Sequence, residues 1–383
     1  MFVKEVSAKE IKDSRGEPTI EIVVNDCSAS SPAGKSTGKY ETPCYLKSLS
    51  WNILAINKLK ELKDVEINSF SDLKKVESII KKKFKLRDVK QFGANALFAL
   101  ESAILKALAK SRGIELWQLI NASAQRVPLP LGNVIGGGLH SHNDNHPAFQ
   151  EFLLIPKAKS FKKQYYKMKG LYGKLKLIVR AVGMNDEGAL ECALSEERIL
   201  EILSVFRKYA DFGVDIASSS FYSKGSYVYG NKVLDRNTQI HFINDIIEKF
   251  HPKYIEDPLN EEDFLGFSKI SKDTMVCGDD LTVTHIGRLR RAIKNKSINA
   301  MIVKPNQNGS LLEVKRVCDL CKENGIKIIV SHRSGETLDD ALADYAVGFG
   351  ADLIKCGIAT KWRDVKLRRL IEIENQILKL KSH

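Results

Sequence analysis

The sequence predicts an α/β barrel carrying a smaller N-terminal α+β domain. Three observations lead there: a length too great for one core, a change of hydrophobic pattern near residue 125, and titratable residues recurring at the ends of β-prone runs. At 383 residues the chain exceeds the roughly 250 to 300 at which single cores stop growing, so domains over residues 1–125 and 126–383 are expected.

The elements follow in order. Phe2–Val6 and Thr19–Val24 are β-prone runs, joined by the turn-rich Asp13-Ser14-Arg15-Gly16 and followed by a Ser/Gly-rich loop, which predicts a small antiparallel unit. From 50 to 120, apolar residues return at helical spacing, as in Ala94, Leu97, Phe98, Leu105 and Leu108, predicting a helical packet beside those strands. Val127-Pro128-Leu129-Pro130 reads as a boundary. Beyond it short β-branched runs alternate with amphipathic helices, the pattern of parallel β/α architecture.

The ends of those runs carry the chemistry: Val214-Asp215, Tyr254-Ile255-Glu256, Val276-Cys277-Gly278-Asp279, Ile302-Val303-Lys304, Val330-Ser331-His332 and Leu353-Ile354-Lys355. From Glu256 onward the intervals are 23, 25, 28 and 23 residues, about one strand-loop-helix unit each. In a closed α/β barrel the C-terminal strand ends converge on one face, so these six residues form a ring. Carboxylates suit a hard divalent cation and lysines pair with an anion, so the ring fits a metal-assisted site for an anionic substrate. Read singly, each is a solvated strand end; six in register argue against that.

Composition excludes less than it suggests. Hydrophobic residues at 43% and charged residues at 28% are ordinary globular values. No apolar run reaches the roughly 18 residues of a membrane span, and Met1-Phe2-Val3-Lys4-Glu5 has no leader pattern, so a cytoplasmic protein is expected. A net charge of +13 fits nucleic-acid binding, or a lysine-rich solvated surface. The lysines concentrate in polar helical stretches, 58–63, 81–90 and 162–176, without a nucleic-acid-binding signature, which favours the second. Seven cysteines, an odd number, argue for reduced thiols, and Cys318-x-x-Cys321 falls in a helical pattern with no second pair, so a structural role is expected. Ala33-Gly34-Lys35-Ser36-Thr37 imitates the end of a P-loop, but Ala29 stands at its first glycine. His140, His142 and His146 match no standard zinc spacing.

Several segments are similar to those of enolases, from Asp13 to Glu374 and in order. The strongest are Ser331-His332-Arg333-Ser334-Gly335-Glu336-Thr337, Ile255-Glu256-Asp257-Pro258, Gly278-Asp279-Asp280-Leu281-Thr282-Val283-Thr284, Asp13-Ser14-Arg15-Gly16-Glu17-Pro18-Thr19 and Gly93-Ala94-Asn95-Ala96. Weaker matches are Val303-Lys304-Pro305-Asn306-Gln307-Asn308-Gly309, Gln150-Glu151-Phe152, Asn185-Asp186-Glu187-Gly188 and Ser36-Thr37-Gly38. The resemblance implies a TIM-like barrel of the enolase type, with its early elements permuted, and the magnesium-dependent dehydration of 2-phosphoglycerate to phosphoenolpyruvate in glycolysis and gluconeogenesis.

By that resemblance Asp215, Glu256 and Asp279 bind one Mg²⁺ and Ser36 helps bind a second. Lys304 is the base at carbon 2, and Glu187, with Glu151 beside it, is the acid at the departing hydroxyl. Lys355 binds the carboxylate, Arg333 and Ser334 the phosphate; His140 and Gln150 close over the substrate, and His332 lies at its end. A Lys base with one or two Mg²⁺ is an enolase-superfamily pattern. Metal charge and Lys355 are expected to help Lys304 lose its proton, and Glu151 to help Glu187 keep one.

This sequence departs from the family in places. The histidine loop is about two residues longer than usual, so His140 aligns and His142 rivals it. Asn185 and Ala189 replace usual glycines, the proline after that motif is absent, Ser220 stands where a glutamate is common, and 361–369 matches loosely. A homodimer is typical of the family, although Asn375 replaces a carboxylate common near the subunit contact. Two other readings stand beside this one. A racemase or cycloisomerase of the same superfamily would carry lysine bases on an early strand, and Glu151–Pro156 has none. A non-catalytic relative binding nucleic acid or a protein through its basic surface would have lost site residues.

Overall fold

The computed structural model describes residues 1–35, 38–229 and 232–381. At the N-terminus Val6–Lys12, Pro18–Val24 and Cys27–Ser30 form an antiparallel sheet in sequence order, with Val6 opposite Val24 and Lys12 opposite Pro18. The first strand is therefore not Phe2–Val6 but the segment after it. The turn decides this: the Asp13 carboxylate accepts the N–H groups of Arg15 and Glu17 at 2.8 and 3.0 Å, so pairing starts at Lys12. Lys9, Glu10 and Lys12 are exposed, which hid this strand from an apolar reading. Phe2 instead bridges to Glu66.

The helical packet follows, with Leu49–Asn57, Leu73–Phe84 and Leu116–Ile120 around the long helix Ala94–Ser111. That helix packs on the second and third strands, and Ala94, Leu97, Phe98, Leu105 and Leu108 are buried as their spacing requires. Its buried polar groups reach the other half of the molecule. Glu101 accepts the Leu311 N–H at 2.7 Å, and Ser102 accepts the Tyr345 hydroxyl at 2.7 Å.

Eight strands then close a barrel: Leu129–Gly136, Glu151–Pro156, Ala210–Asp215, Tyr254–Glu256, Met275–Gly278, Ala300–Val303, Lys327–Ser331 and Leu353–Lys355, the last pairing with the first. Glu151–Pro156 runs antiparallel to both neighbours, and the other strands run parallel. The chain between the first two strands therefore leaves and re-enters the barrel at the same end. Leu131, Leu153, Tyr254, Cys277, Ala300, Ile302, Ile329 and Leu353 form a buried cluster separate from the main core. Strand side chains alternate with period 2, so the residues two positions nearer the mouth share that inward face: Asn133, Glu151, Glu256, Asp279, Lys304, Ser331 and Lys355. Tyr254 fills the interior so closely that a Cβ on Gly213 would lie 2.6 Å from its Cβ, which is why glycine precedes Asp215 by two.

Cys318 and Cys321 are buried in the helix Leu311–Glu323, as their setting suggested, and both are free thiols. Among the described residues no helix is long and apolar enough to cross a membrane.

Candidate active site

The mouth of the barrel opens into a cavity of about 300 Å³, lined by His140, Glu151, Glu187, Asp215, Asp279 and Lys304 among others. Gln150, His332, Arg333, Ser334 and Lys355 also reach it. Glu256 does not line the wall: it is fully buried behind Lys355. Ser36 lies outside the described residues.

Lys355 is the hub of one side. Its Nζ lies 2.8 Å from Asp215, 2.7 Å from Glu256 and 2.9 Å from Glu151. Across the mouth Lys304 is bonded to Asp279, whose other oxygen accepts the Gln307 amide at 3.2 Å. Two lysines cannot neutralise so many buried carboxylates. Burial and the Asp215 charge push Glu256 up to about 8, and burial and the Asp279 charge do the same to Asp280. Glu256 Oε1 is moreover buried with no hydrogen-bond partner. An orphaned carboxylate oxygen beside Asp215 and Asp279 is what a hard divalent cation would satisfy, so the donor set fits one.

A second group forms around Glu187. His140 Nδ1 lies 3.8 Å from Glu151 and 3.8 Å from Glu187, and donor atoms of the three come within 4.8 Å of one another, which could also hold a metal ion. Asn133 Nδ2 donates to Glu187 Oε2 at 3.2 Å, and His332 Nε2 faces the same oxygen at 3.4 Å. The two carboxyls differ in their proton affinity. Burial, with Glu187 and Asp215 nearby, holds Glu151 well above the usual range despite Lys355. Glu187 is held below it against its burial, facing the His332 and His140 rings and the Arg363 and Lys355 charges. Without substrate or cation, the pair therefore favours the proton on Glu151; the sequence expects Glu187 to hold it for the reaction. At Lys304 the Asp279 charge overcomes burial and keeps the proton on, while Arg333 and Lys355 pull the other way.

The histidines separate. His140 is largely buried on the cavity wall, whereas His142 is at the surface with Nε2 3.2 Å from Asp186, and His146 turns its Nδ1 to the Pro147 carbonyl at 2.8 Å.

Arg333 is buried and holds both oxygens of Glu41, at 2.9 and 3.2 Å, and Ser334 Oγ accepts the Lys35 N–H at 2.6 Å. The loop before Glu41 and the segment after the seventh strand therefore share the cavity. Sequence reasoning missed Glu41, Asn133, Asp257 and Arg363. Asn133 had a signal, since it shares the inward parity of Leu131. Asp257 accepts the N–H groups of Asp279 and Asp280 at 3.0 and 2.7 Å and so fixes that strand end. It follows a strand residue already counted, and nothing marked it separately. Glu41 and Arg363 carried no local signal.

Comparison with known proteins follows the same division. Residues 124–382 match the family described as "Enolase, C-terminal TIM barrel domain" and residues 3–120 that described as "Enolase, N-terminal domain". A protein named "Enolase" from Methanocorpusculum labreanum is 35% identical, covering 97% of this chain and 98% of its own. One from Archaeoglobus fulgidus is 33% identical over 98% and 97%, and one from Picrophilus torridus 33% identical over 98% and 99%.

Proposed function

Because the chain belongs to the enolase family and is a phosphopyruvate hydratase, we propose how its residues divide the interconversion of 2-phosphoglycerate and phosphoenolpyruvate. One observation carries the assignment. The strand Ala300–Val303, which Lys304 follows, stands four places from Glu151–Pro156 around the eight-stranded ring, hence diametrically opposite it, and Glu187 lies within 4.8 Å of Glu151 on that far side. A base and an acid placed so address opposite faces of a substrate between them, as removal of a proton and a hydroxyl from adjacent carbons requires.

The family implies a divalent metal; we assign it as magnesium, two ions per site, held by Asp215, Glu256 and Asp279 and by Ser36. Bound there, the cations supply charge neutralisation at the substrate carboxylate, without which the carbon-2 proton is too weakly acidic to leave. Lys355, which would share Asp215 and Glu256 with the cation, binds that same carboxylate. Lys304 takes the proton. Asp279 is the charge that keeps this amine protonated, and with Asp279 committed to a cation, Arg333 and Lys355 favour the neutral amine. Glu187 protonates the departing hydroxyl, drawing on the proton that Glu151 holds within 4.8 Å. Arg333 and Ser334 bind the phosphate, in place of Glu41 and the Lys35 N–H. Gln150 and His140 close the site, and the burial of His140 favours it over His142. His332 abuts the acid.

We further propose a split into 1–125 and 126–383, a homodimer, and a cytoplasmic location in glycolysis and gluconeogenesis, as the family resemblance implies. The non-catalytic alternative gains no support: each charged group assigned within the described residues is in place.

The two proton transfers can be uncoupled. Glu187→Gln should make almost no phosphoenolpyruvate, yet in heavy water should still exchange the carbon-2 hydrogen of 2-phosphoglycerate, provided substrate still binds; Lys304→Ala should do neither. Exchange by a substrate-binding Lys304→Ala protein, with none in binding-competent Glu187→Gln, would reverse the assignment.

A further inference from the structure

Arg363 is fully buried at the start of the helix Lys361–Lys381, below the cavity floor. Its nitrogens find neutral acceptors. Nε donates to His332 Nδ1 at 2.9 Å, Nη2 to the carbonyls of Arg333 and Ser334 at 3.1 and 2.8 Å, and Nη1 to the Asp186 carbonyl and Thr360 Oγ1, both at 3.3 Å. Each of these acceptors belongs to, or adjoins, the segments that carry His332, the phosphate-binding pair and Glu187. Burying a guanidinium against carbonyls and a ring nitrogen, when the protein has carboxylates to spare, costs stability that an apolar residue would not.

The hydrogen-bond chemistry of this contact has one solution. A guanidinium has five donors and no lone pair, so His332 Nδ1 must accept. A neutral imidazole accepting at Nδ1 carries its hydrogen on Nε2. That nitrogen faces Glu187 Oε2 at 3.4 Å, the oxygen that also accepts from Asn133 at 3.2 Å. An imidazolium would set a hydrogen on Nδ1 against the arginine's own N–H, and the environment disfavours it independently. Burial, assisted by the Arg363 charge, holds His332 well below the ordinary histidine range against the pull of Glu187.

The geometry points to Arg363 as a positioning residue that locks His332 in the Nε2–H tautomer and so keeps that hydrogen on the nitrogen facing Glu187. With Oε2 accepting from Asn133 and faced by the His332 Nε2–H, the proton that Glu187 transfers sits on Oε1, the oxygen turned toward His140. The same guanidinium also bonds the carbonyls of Arg333 and Ser334, the phosphate-binding pair. The consequence for catalysis rests on the assignment of Glu187 above; the tautomer itself does not.

Substrate-free protein labelled with ¹⁵N in its histidine rings tests the tautomer directly, with the His332 signals assigned by their loss in His332→Gln. Long-range proton–nitrogen correlations at neutral pH should show His332 neutral, with hydrogen on Nε2 and none on Nδ1. A hydrogen on Nδ1, in either a neutral or a charged ring, overturns the inference whether or not Glu187 is the acid. In folded Arg363→Met the ring should lose its single tautomer, and kcat should fall by about 100-fold with a smaller change in KM, while Arg363→Lys, which restores a donor, should recover part of both. A folded Arg363→Met protein with an unchanged His332 spectrum would refute the role. Should that variant not fold, the wild-type spectrum still decides.

Discussion

Replacing Gly335 by alanine tests how the N-terminal turn is coupled to the phosphate-binding segment. A Cβ at Gly335 would lie 1.9 Å from Asp13 Oδ2 and 2.7 Å from both Nε and Nη2 of Arg15. Asp13 cannot step aside freely: it is buried and accepts from the Arg15 and Glu17 N–H groups and from Arg15 Nε and Nη2 at 3.2 and 2.9 Å. Restoring ordinary contact needs a retreat of about 1.5 Å, enough to break the charged fork. With hydrogen bonds to charged groups each contributing about 1.5 to 3 kcal/mol, Gly335→Ala should cost about 2 to 4 kcal/mol. It should also raise KM for 2-phosphoglycerate, because Arg333 and Ser334 shift with the backbone that Gly335 pairs to Ala33. Urea unfolding of the four proteins in a cycle with Asp13→Ala gives the decisive number. Removing the carboxylate removes the clash, so the double variant should be more stable than the sum of the singles by about 1 to 3 kcal/mol. Additivity within about 0.5 kcal/mol, or a Gly335→Ala protein of unchanged stability and KM, refutes the reasoning.

Other expectations concern the charges. A chelator should abolish phosphoenolpyruvate formation, followed by ultraviolet absorbance, and added magnesium should restore it; full activity with chelator would remove the metal from the mechanism. Asp279→Asn should lower activity by at least about 100-fold and Asp280→Asn far less. Asp280, pushed up to about 8, is already mostly protonated at pH 7, so its amide changes little charge; equal losses would show the pair misassigned. Asp339, lowered by the charge of Lys106 at 2.8 Å in spite of burial, should contribute stability in full above the unfolded aspartate pKa of about 3.9 and lose it as pH falls through its lower folded value. Asp339→Asn should therefore cost about 2 to 3 kcal/mol at pH 7 and flatten the fall in stability below about pH 4. An unchanged acid limb in denaturation at several pH values would contradict this.

The sequence made the strand ends legible because period-2 burial and one helix per strand leave a regular trace: Asp215, Glu256, Asp279, Lys304 and Lys355 all lie at barrel strand ends or one residue beyond. Glu151 is the instructive exception. It begins its strand instead of ending it, so spacing could not place it and the resemblance to enolases was needed. The first strand, Val6–Lys12, was missed because a strand with one exposed face and a mostly polar sequence is specified by its turn. Proton positions were the least legible. Whether Glu187 or Glu151 holds the proton depends on His332, His140 and Arg363, which lie 47 to 176 residues from Glu187 in sequence and meet it only in the folded chain.

The reversed direction of Glu151–Pro156 also sets how far this site can vary. The chain from Gly137 to Gln150 departs from the mouth and returns to it, pinned by the Gly137 N–H on the Gln150 carbonyl at 2.9 Å. Length added between those pins lengthens a closed detour and displaces neither Asn133 nor Glu151. For a loop of this size two extra residues cost only about 0.1 kcal/mol of closure entropy. The histidine loop is thus the part of the mouth where residues can be inserted, or a histidine moved by a position, without retuning the barrel beneath.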